Sequence, residues 1–332
     1  MAGCCLGLRN SQRVARMDEK NDQPGMIRHY RRLVKRIVHH HFGAPATRIV
    51  YKSSGRTNYV FAVNHVEGQF VVRISPEPEK INNFRKELWA SKKVREVGVP
   101  SPEVIAVGND VAAEPYMITR RVTGSEASHH PKRDRIIHAL GRHAAMINSI
   151  QTHGFGSNFD WTADEARLDS WHSYLADEFE LENRLQLFSR NHLLPESELQ
   201  QLSQIVQQAT TDGLNPSLNH SDLRLKNVIV DEGGDIAAIV DWDECLSTIS
   251  PQWELSIALH DLSIDEKQIF LDGYGLSAEQ IEQTAPLIKA FNILNYSSTI
   301  ELAMEKNDHK CLTDLKLRLQ GCLDLYSLSF SR

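Results

Sequence analysis

The sequence has few cysteines and lacks both a long apolar run and an excess of basic residues. Its 5 cysteines among 332 residues form an odd, scattered set without the paired spacing of a disulfide framework or a zinc knuckle. No apolar run approaches the roughly 20 residues that cross a bilayer, and residues 1–25 contain no apolar core of a signal peptide. We therefore predict a cytoplasmic protein with free thiols and no membrane partner.

The balance of charge excludes a further class of partner. The 37 basic and 43 acidic residues give a net charge of −6, which does not support broad binding to nucleic acid but is compatible with a cationic small substrate. Hydrophobic residues make up 41% of the chain and charged residues 24%, as in globular enzymes, so a disordered or fibrous chain is excluded. The length predicts two lobes, each large enough to bury a core.

The N-terminal part predicts a loose arm over residues 1–26, followed by one amphipathic helix. From Met26 to Phe42 apolar residues recur at helical spacing, and Gly43 suits the positive φ of a helix end. A run of three histidines ending at His41 could be read as a metal site. Adjacent helix positions point in different directions, however, so a solvated helix end is the favoured interpretation.

Residues 47–119 have the pattern of a small sheet. Five short segments are rich in β-branched and aromatic residues, and Asn64–Gly68 is a hairpin turn between the second and third of them. One helix from about Lys80 to Val97 interrupts the strands, with Gly98 and Pro100 as stop signals. The predicted strands are Thr47–Tyr51, Tyr59–Val63, Gln69–Ile74, Val104–Val107 and Tyr116–Thr119.

Beyond Gly124 the pattern is mostly helical. The exception is Leu218–Trp242, where Val228–Val230 and Ile236–Val240 flank a pair of glycines as a second hairpin. A strand-rich part followed by a helix-rich part predicts an α+β fold. The predicted helices are Asp134–Thr152, Ser170–Ser189, Glu196–Thr210 and two or three more from Asp265 to the end.

The residues that carry chemistry lie around the second hairpin. Asp222 is in a loop, Asn227 follows five residues later, and Asp241 comes directly after the hairpin. Carboxylate and carboxamide oxygens are suited to hard cations such as Mg²⁺. Phosphoryl transfer needs such a set, because metal ions neutralise the phosphates while a base orients the attacking hydroxyl. The pattern therefore favours phosphoryl transfer.

The same stretch resembles the aminoglycoside phosphotransferase and choline kinase-like superfamily, relatives of the protein kinases. The superfamily motif is His-x-Asp-x-x-x-x-Asn, followed by a hairpin and an Ile-Asp-Trp or Ile-Asp-Phe segment. It is matched by His220, Asp222, Asn227 and Asp241-Trp242. The segments His220–Asp222, His-Ser-Asp, and Asp241–Glu244, Asp-Trp-Asp-Glu, resemble those of the spectinomycin-type branch.

This resemblance implies a bilobal protein kinase-like fold with a small N-terminal antiparallel-sheet lobe and a larger, mostly helical C-terminal lobe. We expect an N-terminal arm and helix over residues 1–46 and a nucleotide-binding lobe over 47–121. The C-terminal lobe, residues 122–332, is expected to contain the catalytic loop and the acceptor site.

The resemblance also implies roles for individual residues. Asp222 would be the catalytic base, Asn227 and Asp241 would hold Mg²⁺, and His220 would brace the loop. Arg224 stands where the superfamily has a residue near the transferred phosphate, so it either stabilises the transferring group or only binds a neighbouring carboxylate.

The nucleotide phosphates are expected at the turn between the first two strands. Ser53, Ser54 and Gly55 belong to a small-residue turn whose backbone N–H groups can cover phosphate oxygens. A plain hairpin is the alternative, because one glycine replaces the several of a protein-kinase loop.

Three more residues are assigned to the nucleotide by resemblance. Arg73 on the third strand stands where the superfamily usually has the lysine that reaches the α- and β-phosphates, and arginine differs from lysine in geometry and hydration. Glu87 would be its helix partner, although an ordinary surface glutamate is the alternative. Thr119 ends the strand that leads into the hinge for adenine.

The acceptor is the least defined part of the prediction. The helical part offers acids that would suit a cationic acceptor, although such acids usually face water. It also offers aromatic residues that could stack on a ring or a cation, although their helical spacing favours core packing. Glu254, in Pro251–Leu255, stands in place of the Asp that braces the catalytic loop in the superfamily, so we expect a structural role for it. The acids are Asp177, Glu178, Glu180, Glu182, Glu301 and Glu305, and the aromatic residues are Trp171, Tyr174, Phe179 and Tyr296.

The sequence thus predicts an ATP-dependent phosphotransferase with Mg²⁺ that phosphorylates a hydroxyl of a small molecule, as a monomer or dimer. The acceptors implied are an aminoglycoside-like antibiotic, which would connect the protein with antibiotic resistance, an amino sugar or a related metabolite. The alternative is a catalytically weak pseudokinase that acts as a nucleotide-binding or regulatory module. The main argument for it is Arg73, which stands in place of the usual lysine. Metal-dependent hydrolysis through His220 and Asp222 lacks further ligands at suitable spacing.

Overall fold

The computed structural model describes residues 24–53, 58–209 and 215–327. Contacts group the chain into two compact units. The first comprises Met1–Ile147 and Arg224–Cys245, and the second comprises Asn148–Leu223 and Leu246–Arg332. The two units are defined by contacts within the chain and do not test the predicted lobe boundaries. The boundaries after residues 46 and 121 therefore stay a prediction.

The first unit contains an antiparallel sheet of five strands. They are β1 (Arg48–Lys52), β2 (Tyr59–His65), β3 (Gly68–Ile74), β4 (Val104–Gly108) and β5 (Tyr116–Arg120). Their order in the sheet is β1-β2-β3-β5-β4. Val72 of β3 pairs with Phe61 of β2 on one side and with Ile118 of β5 on the other. All three side chains are fully buried, so the centre of the sheet lies in the core of the unit.

Helix α1 (Pro24–Phe42) packs on this sheet. Its inner face buries Tyr30, Val34 and Ile37, and Gly43 follows with φ of +67°, so the amphipathic helix and its stop signal are as predicted. Of the three histidines at its end, the first two are exposed, and Nε2 of His41 lies 2.8 Å from the Tyr116 hydroxyl. Residues 1–23 of the predicted arm lie outside the described residues.

Helix α2 (Ile81–Glu96) positions charged groups inside the first unit. It follows a 3₁₀ turn at Pro78–Lys80 and buries Lys86 and Glu87 beside apolar residues. The helix packs against the 3₁₀ turn Trp242–Glu244, which comes directly after the second hairpin. That hairpin consists of β8 (Val228–Val230) and β9 (Ile236–Ile239), with β6 (Ser125–Glu126) paired to β8. Helix α3 (Arg133–Asn148) follows β6 in the chain.

The second unit is mostly helical around an aromatic core. Trp171, Tyr174, Phe179, Trp253 and Phe291 are all buried in this core, as helical spacing indicates for the first three. Its helices are α4 (Trp171–Asp177), α5 (Leu181–Arg190), α6 (Glu196–Gln208), α7 (Gln252–Ala258), α8 (Ile264–Tyr274), α9 (Ala278–Leu294), α10 (Ser297–Glu305) and α11 (His309–Ser327), and its strand pair is β7 (Ser217–Asn219) with β10 (Leu246–Thr248).

The structure differs from the sequence prediction at several helices. The single helix expected over Ser170–Ser189 is two helices, α4 and α5, because Glu180 has φ of +53° and breaks the helical path. Four helices, rather than two or three, follow residue 263 in the described part of the chain. None of the described helices has the apolar length needed to cross a bilayer.

Candidate active site

The open end of the second hairpin positions Asn227 and Asp241. Val228 pairs with Ile239, and the N–H of Val240 donates to the carbonyl oxygen of Asn227 over 2.9 Å. The two candidate metal ligands therefore flank the same end of this hairpin. Asp241 has a left-handed backbone with φ of 71°, and its side chain is 49% exposed, so its carboxylate is accessible to a ligand.

Trp242 anchors the chain just after Asp241. Its indole is buried, and its Nε1 donates to the carbonyl oxygen of Ile239 over 3.0 Å. The following residues pack against α2. The hydrogen bond and this packing fix the backbone on both sides of Asp241, which a metal ligand requires.

Arg73 joins the third strand to α2 and to the hairpin. Its Nη2 forms an ion pair with Glu87, and its Nη1 lies 3.9 Å from Oδ1 of Asp241. The guanidinium also lies over the ring of Phe84, 5.5 Å from its centre. The structure thus brings together three of the residues that the sequence assigned to nucleotide and metal.

The pKa shifts of this pair show which groups carry charge. Burial alone would lower the pKa of Arg73, but the charges of Glu87 and Asp241 outweigh it and raise the pKa. Burial raises the pKa of Glu87, and Arg73 partly offsets that change. Arg73 therefore remains cationic and is held in place beside an accessible carboxylate, an arrangement that suits a phosphate group.

The donor set at the hairpin fits Mg²⁺. Mg²⁺ takes oxygen ligands and is usually bound through one or two carboxylates together with substrate phosphates. Asp241 provides a carboxylate and Asn227 an amide oxygen at the same hairpin end. Among the described residues, no group of three or more His, Cys, Asp or Glu side chains could hold a metal by itself. An ion held by these two residues would complete its coordination with phosphate oxygens or water.

In the second unit, a tight loop carries His220 and Asp222. His220 is fully buried, and its backbone N–H donates to Oε2 of Glu254. The N–H of Asp222 donates to Nδ1 of His220 over 3.3 Å. The histidine and the first residues of α7 thus brace the backbone around Asp222, whose side chain is half-buried.

Glu254 is a buried acid with an unusual pKa. Burial raises the pKa to about 7; backbone hydrogen bonds from His220 and Ser221 oppose the change, and the charge of Asp222 adds to it. Burial and the charge of Glu254 raise the pKa of Tyr274 as well. The acid that braces the loop is therefore neutral in the fold at mildly acidic pH.

Replacing Glu254 by Gln is expected to remove a pH dependence of stability. Between the ordinary value of 4.5 and about 7, the folded protein holds a proton on Glu254 that the unfolded chain has lost. This contribution is full below 4.5 and disappears as the pH rises through 7, a loss of about 3 kcal/mol. The measurement is urea unfolding of the wild type and Glu254→Gln at several pH values.

The wild-type free energy of unfolding should fall relative to that of Glu254→Gln as the pH rises. Glu282→Gln, a change at an exposed helix position, is the matched control and should track the wild type. A constant difference between the wild type and Glu254→Gln from pH 4.5 to 8 would contradict the raised pKa.

The other predicted residues are placed as follows. Arg224 precedes the 3₁₀ turn Leu225–Asn227, and its carbonyl oxygen accepts the N–H of Asn227 over 2.9 Å. Thr119 lies on β5 opposite Val71 of β3. Ser53 is exposed after β1. Ser54 and Gly55 lie outside the described residues. The roles of all these residues stay predictions.

Some of the acids proposed for the acceptor have structural contacts. Oε1 of Glu178 accepts the backbone N–H of Ser157 over 2.7 Å. Arg184 is buried over the ring of Phe179. Burial lowers the pKa of Arg184, and the charges of Glu301 and Glu180 oppose this change. These contacts favour a structural role for Glu178 and leave the acceptor site undefined.

Comparison with protein families decides which family this chain belongs to. The family model of the phosphotransferase enzyme family, APH, matches residues 50–287. The chain belongs to this family. No curated protein matches it in sequence.

Three solved structures are similar to this chain in fold. A thermostable mutant of aminoglycoside phosphotransferase APH(4)-Ia, in a ternary complex with AMP-PNP and hygromycin B, has a TM-score of 0.63 at 16% identity, covering 88% of this chain and 98% of that one. The GDP and kanamycin complex of APH(2″)-IIia has a TM-score of 0.60 at 15% identity, covering 89% and 98%. A proposed fructosamine-3-kinase from Haemophilus somnus 129PT has a TM-score of 0.58 at 15% identity, covering 87% and 96%.

These findings confirm three of the sequence predictions for this APH protein: the superfamily, the α+β kinase-like fold and the class of enzyme, a small-molecule phosphotransferase. The similarity to the spectinomycin-type branch stays a prediction.

Sequence reasoning missed two residues at the loop, Ser221 and Trp253. Ser221 has a left-handed backbone, a conformation that favours glycine, so its residue type gave no signal. Trp253 has the pattern of an ordinary core residue at the start of a helix. Its Nε1 donates to Oγ of Ser221, a contact that depends on the fold.

Proposed function

We propose that this enzyme moves the γ-phosphoryl group of ATP to a hydroxyl group of a small molecule. The observation that carries this proposal is the cationic Arg73, paired with Glu87 and 3.9 Å from the accessible carboxylate of Asp241. A fixed guanidinium beside a carboxylate that can bind Mg²⁺ is suited to the phosphates of a nucleotide. AMP-PNP and GDP in the similar structures support a nucleotide donor.

Asp222 is the base in this proposal. The acceptor hydroxyl oxygen forms a bond to the γ-phosphorus, while the bond from that phosphorus to the β,γ-bridging oxygen breaks and ADP leaves. The hydroxyl proton passes to the Asp222 carboxylate. Mg²⁺, held by Asn227 and Asp241, would neutralise charge on the phosphates. Arg224 would stabilise the transferring group from the start of the 3₁₀ turn, and His220 would hold the loop.

For the acceptor we propose a hydroxylated amine, such as an aminoglycoside-like antibiotic or an amino sugar. The support is the acceptor type of the similar proteins, which are aminoglycoside phosphotransferases, with hygromycin B or kanamycin bound, and a proposed fructosamine-3-kinase. An antibiotic acceptor would give the protein a role in antibiotic resistance.

The test is a panel of aminoglycosides, amino sugars, choline-like alcohols and neutral sugars incubated with γ-labelled ATP and Mg²⁺, with Asp222→Asn as the blank. We expect label in at least one hydroxylated amine with the wild type and background label with the blank. Nucleotide binding without transfer to any acceptor would favour the pseudokinase alternative, and equal label in the blank would show that the observed transfer does not depend on Asp222.

A further inference from the structure

The first turn of α7 contacts the catalytic loop at two neighbouring residues. Glu254 accepts the backbone N–H of His220. One residue earlier, Nε1 of Trp253 donates to Oγ of Ser221 over 3.0 Å. The backbone on the N-terminal side of Asp222 is thus held by two side chains that are consecutive in sequence, and the second contact is made by an indole.

Ser221 has a backbone that needs support. Its φ is +66°, in the left-handed region that costs a residue with a Cβ roughly 1–2 kcal/mol. This residue directly precedes Asp222, so its φ and ψ set the direction in which the Asp222 backbone leaves the loop. A hydrogen bond to its side chain therefore affects where the Asp222 carboxylate lies.

Trp253 is a rigid donor for this bond. Its side chain is packed in the aromatic core, with ring centres 5.2 Å from Phe291 and 5.8 Å from Phe179, and only 6% of the residue is exposed. A side chain held on several sides loses little further freedom when it donates. Its N–H can thus fix the position of the Ser221 hydroxyl.

We propose that Trp253 is a positioning residue for catalysis, acting through the Ser221 hydroxyl to hold Asp222 in its working orientation. This inference rests on the proposed function, in which Asp222 is the base. A base that is displaced by a fraction of an ångström still allows substrate binding but slows the transfer step. The bond should therefore affect kcat more than KM.

The test is steady-state transfer by Trp253→Phe, which keeps an aromatic ring and removes the N–H. We expect kcat to fall about 10-fold, with KM for ATP and for the acceptor within about two-fold of the wild type. Ser221→Ala removes the other half of the bond and should give a similar loss. The double variant should lose no more than either single one, because both remove the same interaction.

Trp171→Phe is the matched control. Trp171 lies in the same aromatic core, is 2% exposed, and its Nε1 donates to the carbonyl oxygen of Val206 over 2.8 Å, so the change removes the same kind of bond away from the loop. We expect it to lower stability and leave kcat at the wild-type level. An equal fall of kcat in this control would overturn the inference, because core loosening would then explain both.

The outcomes separate this inference from the proposed function. A wild-type kcat in Trp253→Phe, with Asp222→Asn inactive, overturns the positioning role and leaves the function in place. Wild-type rates in both variants overturn the role of Asp222 as the base and this inference with it, whereas no transfer by the wild-type protein overturns the function itself. If Trp253→Phe fails to fold, Ser221→Ala decides alone, since it removes only one half-buried hydroxyl group: an unchanged kcat overturns the role, and a lowered kcat with unchanged KM supports it.

Discussion

Asp222→Asn is expected to lower kcat for phosphate transfer by about 10³-fold, within the range that a general base contributes. Asparagine has nearly the same shape as aspartate but cannot accept the hydroxyl proton. The backbone N–H groups of His220 and Asp222 are held by Glu254 and by the His220 ring, and the substitution removes neither hydrogen bond. The measurement is the initial rate of transfer from labelled ATP to the best acceptor.

The control for this change is Asp314→Asn, at an exposed position in the second unit. It removes the same charge from the same unit and should retain the wild-type rate within about two-fold. Nucleotide affinity should be similar in all three proteins. A rate within ten-fold of the wild type in Asp222→Asn would show that another group takes the proton.

The second large effect is expected for Asp241→Ala. Loss of this carboxylate should remove the Mg²⁺ dependence of nucleotide binding and lower kcat by about 10²-fold or more, because charge on the phosphates is no longer compensated. The measurement is ATP binding by calorimetry with and without Mg²⁺, together with the transfer rate.

Asp235→Asn is the matched control for Asp241→Ala. Asp235 borders the turn at the other end of the same hairpin and pairs with Arg135 at the surface, where an ion pair contributes little. Its loss should leave both binding and transfer unchanged. Turnover and Mg²⁺ dependence equal to the wild type in Asp241→Ala would remove the basis for a metal site at this hairpin end.

The spacing of apolar residues predicted the strands and helices that are long enough to contain a repeat. The strands of the five-stranded sheet, α1 and α2 appear within a few residues of their predicted bounds, because their apolar faces repeat over at least five residues. The pairing of Arg73 with Glu87 was implied by the resemblance to the superfamily. Its geometry beside Asp241 was not, since it depends on how α2 packs against the turn after the second hairpin.

Three short elements and the special backbone conformations could not be predicted. Helix α7 and strands β7 and β10 span too few residues for a repeat of apolar positions to be recognised. The break at Glu180 and the turn at Ser221 place residues other than glycine at positive φ, which no local preference favours. The raised pKa of Glu254 results from complete burial, a property of packing rather than of its neighbours in sequence.

The position of the transferred phosphorus tests the central claim most directly. Parallel reactions with the best acceptor would use ATP labelled either at the γ-phosphate or at the α-phosphate. We predict that the γ-label appears covalently on the acceptor hydroxyl, that the α-label stays with ADP, and that neither moves in Asp222→Asn. Label from the α-phosphate on the acceptor, or γ-label found only as free phosphate, would contradict an enzyme that phosphorylates small molecules.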